Sequence, residues 1–201
     1  LPHYELFRVP VEGGESVKIN EPLVEGGNIF IFKLSPDGQH VVYAADQEVD
    51  EQYELYTIAL NNVAAGATKL NPSLVAGGDV VSNRFEISPD GNHVVYVADQ
   101  IFNGVFLLYR VPITGGELNK LGTGALAESQ PDLYSISPDS GYVVFLTRTL
   151  QQVNLYSVPL LGGENQKLNG TIYTEKGGIE RYEISPDSSR VVFLAELNDE
   201  W

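Results

Sequence analysis

The sequence predicts an all-β fold built from one repeated unit, and three observations support this prediction. The tripeptide Ser-Pro-Asp occurs four times, at intervals of 53, 49 and 48 residues. Each copy is flanked by short segments rich in β-branched and aromatic residues, which are typical of strands. Helical periodicity is absent from the chain. The four copies begin at Ser35, Ser88, Ser137 and Ser185.

Each repeat starts with a predicted hairpin around Ser-Pro-Asp, because this tripeptide followed by Gly or Ser has turn chemistry. An aromatic-x-apolar triplet ends the first strand, and two valines with an aromatic residue begin the second. The triplets before the turn are 32–34, 85–87, 134–136 and 182–184. Those after the turn are 41–43, 94–96, 143–145 and 191–193.

A third and a fourth strand complete each unit. The third carries a Leu-aromatic pair, at 6–7, 55–56, 108–109 and 155–156. Tandem glycines, which supply the positive φ of a tight hairpin turn, follow it in three units, whereas a longer Ala-rich turn follows Asn61-Asn62. The fourth strand is the most polar. Four antiparallel strands in about 50 residues, with the most apolar strand first, describe one β-propeller blade read from axis to rim.

The chain starts on a third strand and stops after a second strand, so its two ends predict one shared blade. We therefore predict a β-propeller of four blades of four antiparallel strands, with a ring closed by this shared blade and no open sheet edge. The predicted single domain, 1–201, has blades at 28–78, 79–128 and 129–178, and the shared blade combines 1–27 with 179–201. Such closure favours a monomer. Two alternatives stay open: half of an eight-bladed dimeric ring, and a fragment of a larger propeller.

Composition excludes several functional classes. The chain has 27 acidic and 12 basic residues and a formal net charge of −15, which disfavours nucleic acid and anionic membrane surfaces as partners. No apolar run approaches the roughly 20 residues of a membrane helix, so membrane insertion is not expected. Cys is absent, which excludes disulfides and thiolate metal sites. Met is also absent, as is typical of a processed chain or an excised piece.

The repeat resembles that of TolB and related periplasmic proteins. The residues that carry the resemblance are apolar-x-apolar-Ser-Pro-Asp-Gly, then Val-Val-Tyr, then Leu-Tyr with Gly-Gly, and a Lys-Leu-Asn strand end. The propeller that caps prolyl-oligopeptidase-type hydrolases is similar. The resemblance covers essentially the whole chain and implies a periplasmic or secreted protein, but it is specific for fold rather than function. Leu34, Ile87, Ile136 and Ile184 stand where the family usually carries Trp, and family rings usually have six or more blades.

No catalytic motif is present, so we predict that this chain is not an enzyme. It lacks a G-x-S-x-G elbow, H-E-x-x-H and a phosphate-binding loop, and hydrolase chemistry would need an α/β domain. The Ser-Pro-Asp aspartates are expected to cap their own turns. These are Asp37, Asp90, Asp139 and Asp187.

The longer loops are predicted to share one face of the propeller. They join second to third strands, or fourth strands to the next blade, and function usually lies on loops held by a rigid scaffold. The candidate interaction residues are Asp46, Asp50, Glu51, Asp99 and Phe102. Asp46, Asp50 and Glu51 offer the oxygen ligands that Ca²⁺ prefers, but their spacing matches no calcium loop. We therefore predict no metal site and no cofactor, with Ca²⁺ as the alternative.

A second candidate site follows from an alternation between blades. Arg84 and Glu86 lie on one side of a predicted innermost strand, and Arg181 and Glu183 repeat the pattern two blades later. Inter-blade salt bridges are one explanation. The other is a two-fold-symmetric site at the channel for an anionic or polar ligand, which Arg suits well.

These features favour a non-enzymatic binding or scaffold propeller that recognises a protein or peptide through its long-loop face. Small-ligand or ion binding at the central channel is one alternative. The propeller portion of a larger prolyl-oligopeptidase-like hydrolase is another.

Overall fold

The computed structural model describes residues 3–122, 131–148, 153–170 and 178–196. Within these ranges the chain forms sixteen strands, all paired antiparallel, and one short 3-10 turn, Val63–Ala65. That turn lies in the long connection predicted after Asn61-Asn62. None of the described segments forms a helix that is both long and apolar enough to cross a bilayer.

Three four-stranded sheets follow one another along the chain, each with its strands in sequential order. Blade A consists of β3 (Ile29–Leu34), β4 (His40–Ala45), β5 (Glu54–Ala59) and β6 (Thr68–Lys69). Blade B consists of β7 (Val80–Ile87), β8 (His93–Ala98), β9 (Leu107–Pro112) and β10 (Asn119–Lys120). Blade C consists of β11 (Pro131–Ile136), β12 (Tyr142–Arg148), β13 (Val153–Pro159) and β14 (Gln166–Lys167).

A two-stranded half-sheet stands at each end of this series. The N-terminal half-sheet pairs β1 (Phe7–Arg8) with β2 (Val17–Lys18), which correspond to the third and fourth strands of a blade. The C-terminal half-sheet pairs β15 (Gly178–Ile184) with β16 (Val191–Glu196), which correspond to the first and second strands. The all-β fold of four-stranded antiparallel sheets is thus confirmed. The structure does not show a closed ring, so closure and the domain ranges stay predictions.

The Ser-Pro-Asp turns have the predicted capping geometry. Ser35 Oγ donates to Asp37 Oδ1 at 2.5 Å, and the backbone N–H of Gln39 donates to the same carboxylate oxygen at 3.0 Å. These hydrogen bonds lower the pKa of Asp37. The seryl hydroxyl also donates to the aspartate in the other three turns.

Two of these turns also connect neighbouring blades. Ser140 and Ser188 have φ of 59°, a left-handed conformation that glycine adopts at the same place in the first two turns. Ser140 Oγ accepts a hydrogen bond from the backbone N–H of Asp90 at 3.0 Å, and Ser188 Oγ does the same for Asp139. These seryl hydroxyls therefore link each turn to the turn of the preceding blade.

The hydrophobic core lies between blades, and the same strand positions build each interface. Val42 and Leu55 of blade A belong to one buried cluster with Phe85 and Tyr96 of blade B. The next interface combines the equivalent positions of blades B and C. A blade thus has a leading face, toward its C-terminal neighbour, and a trailing face, toward its N-terminal neighbour. Aromatic pairs stack at one position of each complete blade, namely Tyr43–Tyr56, Tyr96–Tyr109 and Phe145–Tyr156, with ring centroids 5.3, 5.6 and 5.7 Å apart.

Each half-sheet packs on its neighbour as a complete blade would. Leu6 and Ile19 of the N-terminal half-sheet are buried against the trailing face of blade A. Ile179 and Val191 of the C-terminal half-sheet pack against the leading face of blade C. The described structure is therefore a row of blades with half a blade at either end.

Candidate interaction face

Loops from two positions in the repeat contact each other at one end of the blades, which we call the loop face. Its members are the loops after the second strands, 46–53 and 99–106, and the connections into first strands, 20–28 and 71–79. Asp46 Oδ1 accepts a hydrogen bond from the backbone N–H of Asn28 at 2.5 Å, and Asp46 Oδ2 accepts one from Glu51 at 3.1 Å. Gly27 permits this close approach, because a Cβ there would lie 2.8 Å from the Asp46 carbonyl oxygen.

Asp99 has the same role in the next blade. Its Oδ1 accepts from the backbone N–H of Asp79 at 2.6 Å, and its Oδ2 accepts from Gly104 at 2.7 Å. Asp46 and Asp99 are each only 2 % exposed. Both were expected to face a partner, but in the structure their carboxylates accept hydrogen bonds from backbone N–H groups and hold the loops.

The exposed side chains of the loop face include the other three predicted interaction residues. Asp50 and Glu51 are exposed on one loop tip, and Phe102 is 67 % exposed on the next. Two exposed aliphatic residues accompany them, Val49 and Ile101. These apolar side chains lie on loops that are held by the Asp46 and Asp99 carboxylates, and they are not part of the hydrophobic core.

An aromatic pair on the loop face was not found by sequence reasoning. Phe30 and Tyr53 make an edge-to-face contact with ring centroids 4.6 Å apart, and Phe30 is exposed. Burial, followed by the nearby carboxylates of Asp46 and Asp79, raises the pKa of Tyr53. The available signal was the position of Phe30 next to the Gly-Gly connection, where each innermost strand begins.

Asp79 is a further acidic residue that the sequence analysis did not select. Its carboxylate accepts a hydrogen bond from the backbone N–H of Tyr53 at 2.9 Å. Burial raises the pKa of Asp79, and the neighbouring Asp99 carboxylate adds to this effect. Asn28 is the equivalent residue one blade earlier and accepts from the N–H of Tyr4 at 3.2 Å. The equivalence of Asn28 and Asp79 was visible in the sequence, since both follow Gly-Gly.

An open cleft of about 800 Å³ lies on the same face beside Gly26 and Asp50. Glu5 projects into it, accepts a hydrogen bond from Lys18 Nζ at 2.6 Å and lies 3.7 Å from His3 Nε2. The cleft thus has both charge signs, and its walls come from the N-terminal half-sheet and the connection into blade A. Of its lining residues, Asp50 was a candidate interaction residue from the sequence, whereas His3, Glu5 and Lys18 were not.

The channel candidates Arg84 and Glu86 contact blade C rather than each other. Arg84 Nη1 donates to the Pro131 carbonyl at 2.8 Å, and Nη2 lies 3.7 Å from Asp132 Oδ1. Glu86 Oε2 accepts from the backbone N–H of Ile136 at 3.2 Å, while burial raises the pKa of this carboxyl. The hypothesis of inter-blade contacts therefore describes this pair.

Arg181 and Glu183 have different surroundings. Both are exposed on β15, and neither has a hydrogen bond or ion pair with another described residue. The two Arg–Glu pairs are equivalent in sequence, but within the described residues only the pair on blade B contacts a following blade. Their role as a two-fold ligand site stays a prediction.

Among the residues in the described ranges, no three His, Asp or Glu side chains form a group that could hold a metal ion. Asp46, which was considered with Asp50 and Glu51 as a Ca²⁺ ligand, directs both carboxylate oxygens at backbone N–H groups. The Ca²⁺ alternative therefore has no support from the geometry of Asp46.

Several solved structures share this fold at low sequence identity. The TolB structure from Agrobacterium tumefaciens matches 84 % of this chain and 57 % of its own, with 18 % identity and a TM-score of 0.52. An oligogalacturonate lyase from Vibrio parahaemolyticus matches 97 % of this chain and 54 % of its own, with 16 % identity and a TM-score of 0.61. A prolyl endopeptidase matches 95 % of this chain and 29 % of its own, with 12 % identity and a TM-score of 0.62.

These similarities establish a TolB-like propeller fold and, at such identities, nothing about activity. The chain spans just over half of the TolB and lyase chains and under a third of the prolyl endopeptidase. No protein-family model and no curated protein sequence matches it.

Proposed function

We propose that this chain is a non-enzymatic binding propeller that recognises a basic peptide or protein segment through its loop face. The observation that carries the proposal is the exposure of Phe102 and Ile101 on a loop whose backbone is fixed by the buried Asp99 carboxylate. A large aromatic side chain on a rigid loop contributes contact area at low entropic cost, as in binding hot spots.

Charge determines the kind of partner. The net charge of −15 and the carboxylates of Asp50 and Glu51 beside the apolar residues favour a cationic segment and disfavour an acidic one. Steering by these exposed carboxylates is screened by salt, so we expect binding to weaken as ionic strength rises. Lysine or arginine flanking an apolar residue is the recognition element that fits this surface.

The test uses a displayed library of Lys/Arg-rich peptides with one apolar anchor. Peptides enriched on the chain are then measured against Phe102→Ala, which we expect to weaken binding at least tenfold. Leu161→Ala is the matched control, because Leu161 is 68 % exposed but lies in a turn at the opposite end of the blades. Equal loss in both variants, or no enriched peptide, would overturn the proposal.

Ligand binding in the channel is the second candidate, favoured by the exposed Arg181 guanidinium. Inorganic phosphate and succinate are suitable probes, since Arg binds phosphate and carboxylate in a bidentate manner. We expect thermal stabilisation by the probe to be lost in Arg181→Ala. The resemblance to the TolB repeat supports a periplasmic or secreted location for either function.

A further inference from the structure

The N-terminal half-sheet exposes apolar side chains that complete blades bury. Phe7 is 58 % exposed and Val9 is also exposed, whereas their equivalents in blade B, Tyr109 and Val111, are buried. The two third strands are nearly identical, since Leu-Phe-Arg-Val-Pro at 6–10 corresponds to Leu-Tyr-Arg-Val-Pro at 108–112. β1 thus has the sequence of an interior strand. Within the described residues it lacks the neighbouring second strand with which the third strand pairs in blades A, B and C.

The C-terminal half-sheet has the first and second strands of a blade but, among the described residues, lacks the third and fourth. Val192 is 69 % exposed and Leu194 is exposed, whereas the equivalent Val144 and Leu146 of blade C are buried. In the described residues β16 pairs only with β15, so its outer edge has unpaired backbone groups. An apolar strand with an open edge is a template for another strand.

Each half-sheet has the two strands that the other lacks. In blade C the second and third strands pair so that Val144 opposes Ser157. The same register places Val192 of β16 opposite Arg8 of β1. Buried side-chain amides reinforce the comparison, because Asn20 Oδ1 accepts from the N–H of Leu6 at 2.8 Å, as in blades A and C. β1 and β2 are therefore already arranged as the outer half of a blade.

Blade A exposes a further apolar surface, on the side where the N-terminal half-sheet lacks the first and second strands of a blade. Phe32 and Leu34, on the trailing face of blade A, are 55 % and 56 % exposed. We call them the trailing stripe. At the interior interfaces their equivalents are covered by the blade before them: Phe85 and Ile136 are buried, and Ile87 and Tyr134 are half-buried.

The residues that cover the trailing stripe can be identified from blade B. Val95 and Val97 of its second strand belong to one buried cluster with Ile136 of blade C. Their equivalents on β16 are Val192 and Leu194. Joining the half-sheets into one blade would therefore pair the open strand edge, cover Val192 and Leu194, and bury the trailing stripe at once.

We infer that a second copy of this chain joins the half-sheets, so that β1–β2 of each copy complete β15–β16 of the other. In the described residues of one chain, both surfaces are exposed. Two copies related by a two-fold axis satisfy both gaps with identical contacts and leave no open edge. The assembly is an eight-bladed ring with three complete blades per chain and two composite blades.

Single-cysteine variants test the inference, because the chain has no native Cys. Val192→Cys and Arg8→Cys are purified separately, mixed and mildly oxidised. We expect a covalent dimer that contains one chain of each variant, at twice the 22.0 kDa chain mass. The matched control mixes Val192→Cys with Val9→Cys, which lies one residue out of register and points to the opposite side of the sheet.

A double variant, Arg8→Cys with Val192→Cys, distinguishes pairing of β1 with β16 between two chains from pairing within one chain. An internal disulfide in a species of one chain mass would show self-closure and overturn the inference. The in-blade pair Val42→Cys with Thr57→Cys has the same register and is the positive control for disulfide geometry. Formation of that control disulfide without a bond between positions 8 and 192, within or between chains, would also overturn it.

The native mass of the unmodified chain gives an independent readout. We expect two chain masses, and we expect Val192→Glu with Leu194→Glu to reduce this to one while the strand content is retained. Leu161→Glu, at an exposed apolar residue away from the gap, should leave the mass unchanged. A native mass of one chain for the unmodified protein contradicts the inference. This assembly and the binding proposal are tested at different residues, so either can fail alone.

Discussion

The Asp99 carboxylate accepts a hydrogen bond from the backbone N–H of Asp79, at 2.6 Å, while the Asp79 carboxylate accepts one from Tyr53 at 2.9 Å. Tyr53 ends the long loop of blade A, Asp79 begins blade B, and Asp99 starts the long loop of blade B. Two carboxylates in series therefore connect the loops of neighbouring blades. These two hydrogen bonds hold the bases of the loops, whereas the apolar side chains at the loop tips are exposed.

We expect Asp99→Asn to destabilise the fold and to weaken peptide binding. The amide keeps one acceptor oxygen but turns an N–H₂ group toward a backbone donor, at a cost of about 1.5–3 kcal/mol for a buried hydrogen bond to a charged group. Urea unfolding measures the free energy of unfolding. Asp50→Asn on an exposed loop tip is the control and should change it little; equal stability of the two variants would refute the role of Asp99.

Asp79→Asn should have the opposite effect on stability at neutral pH. Burial raises the pKa of Asp79, so its charged form opposes folding above that pKa, and the penalty disappears as pH falls below the ordinary value of 3.8. Asn28 shows that an amide oxygen can accept the same backbone hydrogen bond. We predict a higher urea midpoint for the variant at pH 7 and coincident midpoints near pH 3. A lower midpoint at pH 7 would contradict this.

Substitutions of Ser140 separate backbone strain from the inter-blade hydrogen bond. Ser140→Ala keeps the positive φ and loses the acceptor for Asp90, so we expect a loss of about 0.5–1.5 kcal/mol. Ser140→Gly loses the same acceptor but relieves strain of about 1 kcal/mol, so it should lie close to the parent. Thermal unfolding ranks the three proteins. The reverse order for the alanine and glycine variants would show that the strain is unimportant.

Ser35→Ala should raise the pKa of Asp37. The Ser35 hydroxyl and the Gln39 N–H hold that pKa below 3.8, so the carboxylate stabilises the turn above 3.8, and this contribution is lost as pH falls through the lowered value. Carboxyl carbon chemical shifts measured against pH report the change directly. Ser157→Ala, on a strand of blade C, should leave the Asp37 titration unaltered.

Local patterns in the sequence were sufficient to predict the strands and turns. The Ser-Pro-Asp turns cap themselves, and both glycines of the pair at 13–14 have the predicted positive φ. Each of these features depends on residues fewer than six positions apart, so a single repeat contains all the required information. The four-fold repetition then identified the blade.

The site could be predicted only in part, because its chemistry depends on contacts between distant loops. Asp46 and Asp99 were selected because they are acidic residues in long loops. In the structure both are buried, and their carboxylates accept hydrogen bonds from the backbone N–H groups of residues 28 and 79. Arg84 and Arg181 occupy the same motif, and only the presence of a following blade gives Arg84 its bonds to blade C. A repeat sequence specifies positions within a blade and not which blades have neighbours.

The arrangement of the core between blades has a consequence for how the chain opens. Blade B is covered on both faces by a complete blade, whereas the half-sheets are covered on one face each. In such a one-dimensional array each unit is stabilised by its nearest neighbours, so unfolding proceeds inward from unsupported ends. In a single chain with unjoined ends, such as the variant Val192→Glu with Leu194→Glu, amide protons of β8 should exchange with deuterium most slowly and those of β1 and β16 fastest. Joining the ends would abolish this gradient, because every blade would then have two neighbours.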